Sequence, residues 1–199
     1  MAPLMLREVS IGHTTYQVGI FGCTRSTPLI PDEIIAIPKK ISSKQDLTFL
    51  LVDANLIAGA DHLLFATIHA YTAFNQHTNR ASTREMEILR FAAAQRQISQ
   101  AMSLLGVSKS TRRFAGVLTN STSTVLEPAY LEFLKIAEAS DDATVLELNT
   151  SEKAQVIQEA FQIPNEELKA ICPSQDSRKR RLALQKLVYD RCALLAISR

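Results

Sequence analysis

The sequence predicts a mixed α/β (α+β) fold: one compact domain over residues 1–199, with a small mixed sheet of about four strands and surrounding helices. Three observations point there. The runs TTYQVGIFG and DLTFLLVD are rich in β-branched and aromatic residues and have the length of strands. Longer stretches space apolar residues three and four apart, as helices with one buried face do. No Pro/Gly/Ser-rich linker and no internal repeat divides the chain.

The first strand, TTYQVGIFG, ends at Gly22. The segment that follows carries Pro28, Pro31 and Pro38, so it can hold only a short helix around Asp32 to Ile37, and residues 24–44 read as a variable insertion. DLTFLLVD is the second strand. From Ala54 to Phe74, Ile57, Ala60, Leu64 and Ile68 recur at helical spacing, while Ala66, Ala70 and Ala73 form a small-residue face. Two such faces imply a helix buried centrally.

Ser82 with Glu85 three residues on reads as a capping box opening a new helix. If that helix ran unbroken, Glu87 would share a stripe with Ile98, Ala101, Met102 and Leu105, so a break is expected near AAAQ. Beyond the break, Arg96 lies about 160° from Ile98, opposite the core stripe, and Gly106 ends the helix.

RRFAGVLTN is a third strand, EPAYLEFLKIAEAS a helix with Pro128 near its first turn, and ATVLEL a fourth strand. Asn149 caps NTSEKAQVIQEAFQI, and Pro164 opens a short helix in PNEELKAI. The last helix, SRKRRLALQKLVYDRCALLAISR, aligns Leu184, Leu187, Val188, Cys192 and Leu195 behind a basic start. That stripe either closes the core or docks a partner.

Composition narrows the chemistry. With 46% hydrophobic and 21% charged residues, the chain has the make-up of an ordinary folded protein. Cys23, Cys172 and Cys192 are far apart and form no C-x-x-C, so neither a disulfide framework nor a zinc site is expected. No Gly-rich phosphate loop and no G-x-S-x-G motif is present, and no cofactor or metal is implied. The adjacent carboxylates Asp141/Asp142 and Glu166/Glu167 diverge and do not make a general acid/base pair. His62 and His69, seven apart on one helix, keep a His-dependent enzyme as an alternative, although no Glu or Cys completes a metal set. The uncharged run from His62 to Asn79 carries too many polar groups for a bilayer, and the start has no signal-peptide pattern.

Charge is segregated along the chain. Between residues 78 and 113, Arg80, Arg84, Arg90, Arg96, Lys109, Arg112 and Arg113 are set against only Glu85 and Glu87. An acidic segment over 125–169 then precedes the basic C-terminal region with its run Arg178 to Arg181. Such segments are either solvated faces or surfaces for an anionic partner.

Residues 52–73, VDANLIAGADHLLFATIHAYTA, followed in order by NR, EIL, RQI and LLGV, resemble the kinase-binding subunit of the KEOPS (EKC) complex, the PRPK-binding protein family. The resemblance is close over about residues 45 to 120 and loose over the strand at Thr14 to Phe21. It implies a small α/β protein that is not an enzyme. Such a subunit binds and supports an atypical small kinase (PRPK-like) and, through it, the other KEOPS subunits. It also helps recruit tRNA by its 3′ CCA end for threonylcarbamoyl modification of the adenosine beside the anticodon. Cytoplasm and nucleus are the expected location, without a membrane partner.

A single-stranded RNA end presents phosphates and unstacked bases, which call for cations beside aromatic or apolar platforms. Under the resemblance, Arg80, Arg84, Arg96 and Gln97 are the tRNA-binding candidates, and Leu184, Leu187, Val188 and Leu195 the kinase-binding ones. The main alternative is a stand-alone nucleic-acid-binding module that uses RKRR as a backbone contact or import signal.

Overall fold

The computed structural model describes residues 4–45 and 47–197. Its sheet is built from β1 (Met5–Ile11), β2 (Thr14–Thr24), β3 (Thr48–Asp53) and β4 (Arg113–Asn120), in the order β1-β2-β4-β3. A two-residue β5 (Ser140–Asp141) pairs with β2 beyond the end of β1. Every pairing is antiparallel, where the sequence predicts a mixed sheet. The β1–β2 hairpin, which sequence reading does not anticipate, turns through Gly12 at a φ of 61°.

Helices cover both faces. On one lie α2 (Ala60–Asn75), α3 (Arg84–Ala92) and α4 (Ile98–Leu105), which bury Leu63, Ala66, Ala70, Ile88 and Leu89 against Val18, Ile20, Val52 and Val117. On the other lie α1 (Pro31–Gln45) and α5 (Leu126–Ile136), where Ile37, Ile41, Tyr130 and Phe133 meet Phe21, Phe49 and Phe114. Alternation along the strands sends successive side chains to opposite faces, so one sheet serves two cores. Gly116 permits the aromatic packing, since a Cβ there would stand 2.1 Å from the Phe21 ring.

A third core joins α6 (Ser151–Ala160), α7 (Asn165–Ile171) and α8 (Ser177–Ile197) around Ile157, Phe161, Leu168, Leu184, Leu187 and Val188. It rests on the start of α2 through Ala58 and Gly59. At Gly59 the φ is 126° and a Cβ would come within 3.0 Å of Gln185 and 3.2 Å of the Tyr189 hydroxyl, so glycine lets α8 seat there.

Several boundaries correct the sequence reading. The helix expected at 32–37 extends over Pro31–Gln45 and passes through Pro38, because Ile37 and Ile41 are buried on either side of it. Instead of a strand, ATVLEL contains a 3-10 turn at Ala143–Leu146, started by the Asp142 carboxylate accepting from the Thr144 N–H. The caps of α3 and α6 are Thr83 and Thr150, each one residue past Ser82 and Asn149. The break near AAAQ falls where expected, between α3 and α4. Among the described residues no helix is long and apolar enough to cross a membrane.

Candidate functional site

The two ends of α3 carry the basic candidates. Thr83 caps its start by accepting from the Met86 N–H at 3.4 Å. One turn in, the buried Glu87 carboxylate accepts from the backbone N–H groups of Arg80 at 3.2 Å and Ala81 at 2.8 Å, and from the Arg90 guanidinium at 2.5 Å. Arg90 in turn donates through Nε to the Arg96 carbonyl at 3.0 Å. A single buried ion pair thus fixes both the approach to α3, with Arg80, and the turn that leaves it, with Arg96.

At the start of α3, the exposed Arg84 guanidinium lies 4.9 Å from the Tyr71 ring centroid and 5.9 Å from that of Tyr16. The two rings meet edge to face at 4.6 Å. Beneath them the Tyr71 hydroxyl donates to Thr48 at 3.1 Å and bonds Thr119 closely, and burial pushes its pKa up. Ser121 and Thr122 complete the rim of a polar pocket of about 320 Å³ with no carboxylate in its lining among the described residues. A guanidinium held over aromatic faces and surrounded by hydroxyls is suited to a phosphate with a stacked or edge-bound base.

Arg96 and Gln97 lie elsewhere. They are exposed past the other end of α3, in a groove shared with Gln100, Arg191, Leu194 and Leu195. Arg191 is held there by both oxygens of Glu167, at 3.0 and 2.6 Å, which lowers the Glu167 pKa. The four RNA candidates therefore divide into Arg80 with Arg84 and Arg96 with Gln97.

The proposed kinase stripe divides as well. Leu184, Leu187 and Val188 are 2%, 4% and 0% exposed and pack inside the chain's own third core. Leu195 is half-buried at the edge of the α2–α4 core, beside the exposed Leu194 and near Ile197 at the helix end.

His62 is a buried lock. Its Nδ1 accepts from the Ala58 N–H at 3.2 Å and its Nε2 donates to the Ala92 carbonyl at 2.8 Å, so both ring nitrogens are engaged. Burial lowers its pKa to about 4. His69 instead stacks on Phe91, with ring centroids 5.5 Å apart. Burial also raises the thiols of Cys23 and Cys192 to about 12, far from a reactive thiolate. Among the described residues no group of three potential ligands is placed to hold a metal.

Tyr16, Tyr71, Thr48 and Thr119, which form the floor and walls around Arg84, escape sequence reading. Tyr71 sits in the HAYTA segment, but no spacing brings Tyr16 to it; the packing of α2 across the start of β2 does that.

The family model described as kinase binding protein CGI-121 matches residues 33–196, from within α1 to the end of α8. No curated protein matches the chain.

Proposed function

The chain belongs to the kinase binding protein CGI-121 family, and on that premise we propose that it is the non-catalytic subunit of a KEOPS/EKC-type assembly. In this reading it binds and supports the atypical small kinase. It also helps recruit tRNA by its 3′ CCA end for threonylcarbamoyladenosine formation beside the anticodon. The observation that supports the RNA half is Arg84 poised over Tyr71 and Tyr16 in a hydroxyl-lined pocket. Arg80 is exposed four residues before Arg84, its backbone N–H held by the Glu87 carboxylate.

For the kinase half, the outer end of α8 is the contact this reading favours. Leu195, with the exposed Leu194 and Ile197, offers an apolar edge, while Leu184, Leu187 and Val188 hold the helix rigid from within. Rigid presentation lowers the ordering cost of docking. Arg96 and Gln97 border the same groove, where a kinase surface and a bound RNA would meet.

The test is binding of tRNA with and without its CCA end, measured beside a kinase pull-down. A clear preference for the intact end, with kinase capture, is expected. Equal affinity for the two RNAs without kinase capture would favour the stand-alone nucleic-acid module.

A further inference from the structure

A second basic surface lies at the start of α8. Arg178 and Lys179 are exposed, and Arg180 and Arg181 half-exposed, within about one helical turn. None of Arg178, Lys179 and Arg181 forms an ion pair among the described residues. The nearby Asp176 carboxylate is occupied in capping the N–H groups of Arg178 at 2.8 Å and Lys179 at 3.2 Å.

This ridge stands between two clefts, of about 720 and 570 Å³, and Arg181 lines both. Gln155, Gln162 and Asn165 line one, and Asn149 and Gln185 the other. Among the described residues each cleft is lined by one carboxylate. Glu159 is bound by the Gln155 amide at 3.0 Å and Glu147 by the Asn149 amide at 3.4 Å. Amide side chains both donate and accept, as base edges require, while arginines meet phosphates.

We propose that the Arg178–Arg181 ridge and its flanking clefts are a second RNA-binding surface, which grips the backbone of the same RNA that enters the Arg84 pocket. The inference rests on the RNA reading of that pocket. The two surfaces lie at opposite ends of α2, since Gly59 lines one ridge cleft and Tyr71 the pocket. Along α2 these two lining residues are twelve positions apart, about 18 Å, a distance that about five nucleotides of a stacked strand cover at about 3.4 Å each. A strand of at least that length is needed to touch both surfaces. Holding a strand at two points converts the second contact into an intramolecular one and raises the overall affinity.

The test measures binding of unfractionated tRNA over a salt series for the full chain. It compares the unaltered protein with Arg178→Glu/Arg181→Glu, Arg84→Ala and Lys39→Glu/Lys40→Glu. The last variant reverses two exposed charges on α1 and controls for net charge. A glutamate at position 178 lies in the first turn of α8, where it suits the helix dipole, and the melting curve of the ridge variant is recorded alongside to show that it stays folded. We expect its salt slope to flatten by about 1.4 to 1.8, at about 0.7 to 0.9 per lost phosphate contact, with the α1 control changing by less than half of that.

Equal changes in ridge variant and control would overturn the inference. So would an unchanged ridge variant beside a weakened Arg84→Ala, an outcome that leaves the pocket reading standing. An unaltered chain that binds no tRNA removes both readings. Ridge-dependent capture by phosphatidylserine vesicles in preference to tRNA assigns the ridge to a membrane surface and also overturns it.

Discussion

Glu87 and Arg90 form a buried ion pair at 2.5 Å, one turn apart on α3, with 1% and 3% of their side chains exposed. The remaining bonds of the pair reach backwards to Arg80 and Ala81 and forwards to Arg96. Removing one partner leaves the other charge buried without compensation. Glu87→Ala is expected to cost about 3–5 kcal/mol in urea unfolding. Glu87→Met/Arg90→Met should be less destabilised than the single substitution, because no unpaired charge remains.

Arg84 is exposed and touches the fold mainly through the Tyr71 and Tyr16 rings. Arg84→Ala should therefore lower stability by only about 0.5–1 kcal/mol, the worth of an exposed cation–π contact. Its tRNA binding should weaken, and the salt slope should fall by about 0.7 for one phosphate contact on a single strand. Unchanged affinity and slope would take Arg84 out of the RNA site.

The inner and outer residues of α8 separate folding from docking. Leu187→Ala empties a side chain that is 4% exposed and should cost about 2–5 kcal/mol by thermal or urea unfolding. Leu194→Glu and Ile197→Glu act on side chains 48% and 75% exposed and should leave the melting curve in place while reducing kinase capture. Full kinase capture by the doubly substituted protein would move the docking surface off this helix end.

His62 makes stability depend on acidity. Its pKa falls from an ordinary 6.5 to about 4 through burial. As the pH drops below 6.5, the unfolded chain takes up a proton that the folded chain refuses until about 4, so stability decreases across that window. The loss approaches about 3 kcal/mol at its lower end. His62→Gln should be less stable at pH 7 but lack this part of the acid slope. Parallel pH profiles for the two proteins would show that the imidazole is not the group responsible.

Much of the fold was legible because local pattern and tertiary environment agree. Strands form within TTYQVGIFG, DLTFLLVD and RRFAGVLTN, and the misplaced Glu87 points to the break between α3 and α4. The failures have physical causes. Pro38 argues for an early helix stop, but burial of Ile37 and Ile41 outweighs its missing N–H. ATVLEL has the composition of a strand, yet the Asp142 turn and the close seat of Val145 over Gly22 hold it as a 3-10 turn.

The candidate site was half legible. The sequence singled out the arginines and set Arg96 outward, where it is. Their grouping depends on contacts distant in sequence, such as Tyr16 against Tyr71, which no helical or strand period encodes. The buried lining of α8 was equally ambiguous, since an apolar stripe looks the same whether it meets its own core or a partner.

The seat of α8 on the start of α2 also bears on how the protein is made. Gln185 and Tyr189 reach the Ala58 carbonyl across 127 and 131 residues of chain. During synthesis from the N-terminus, the Ala58 carbonyl therefore waits for Gln185 and Tyr189 until α8 leaves the ribosome. The sheet and α2 can form earlier, whereas the end of the molecule that carries the basic ridge assembles last.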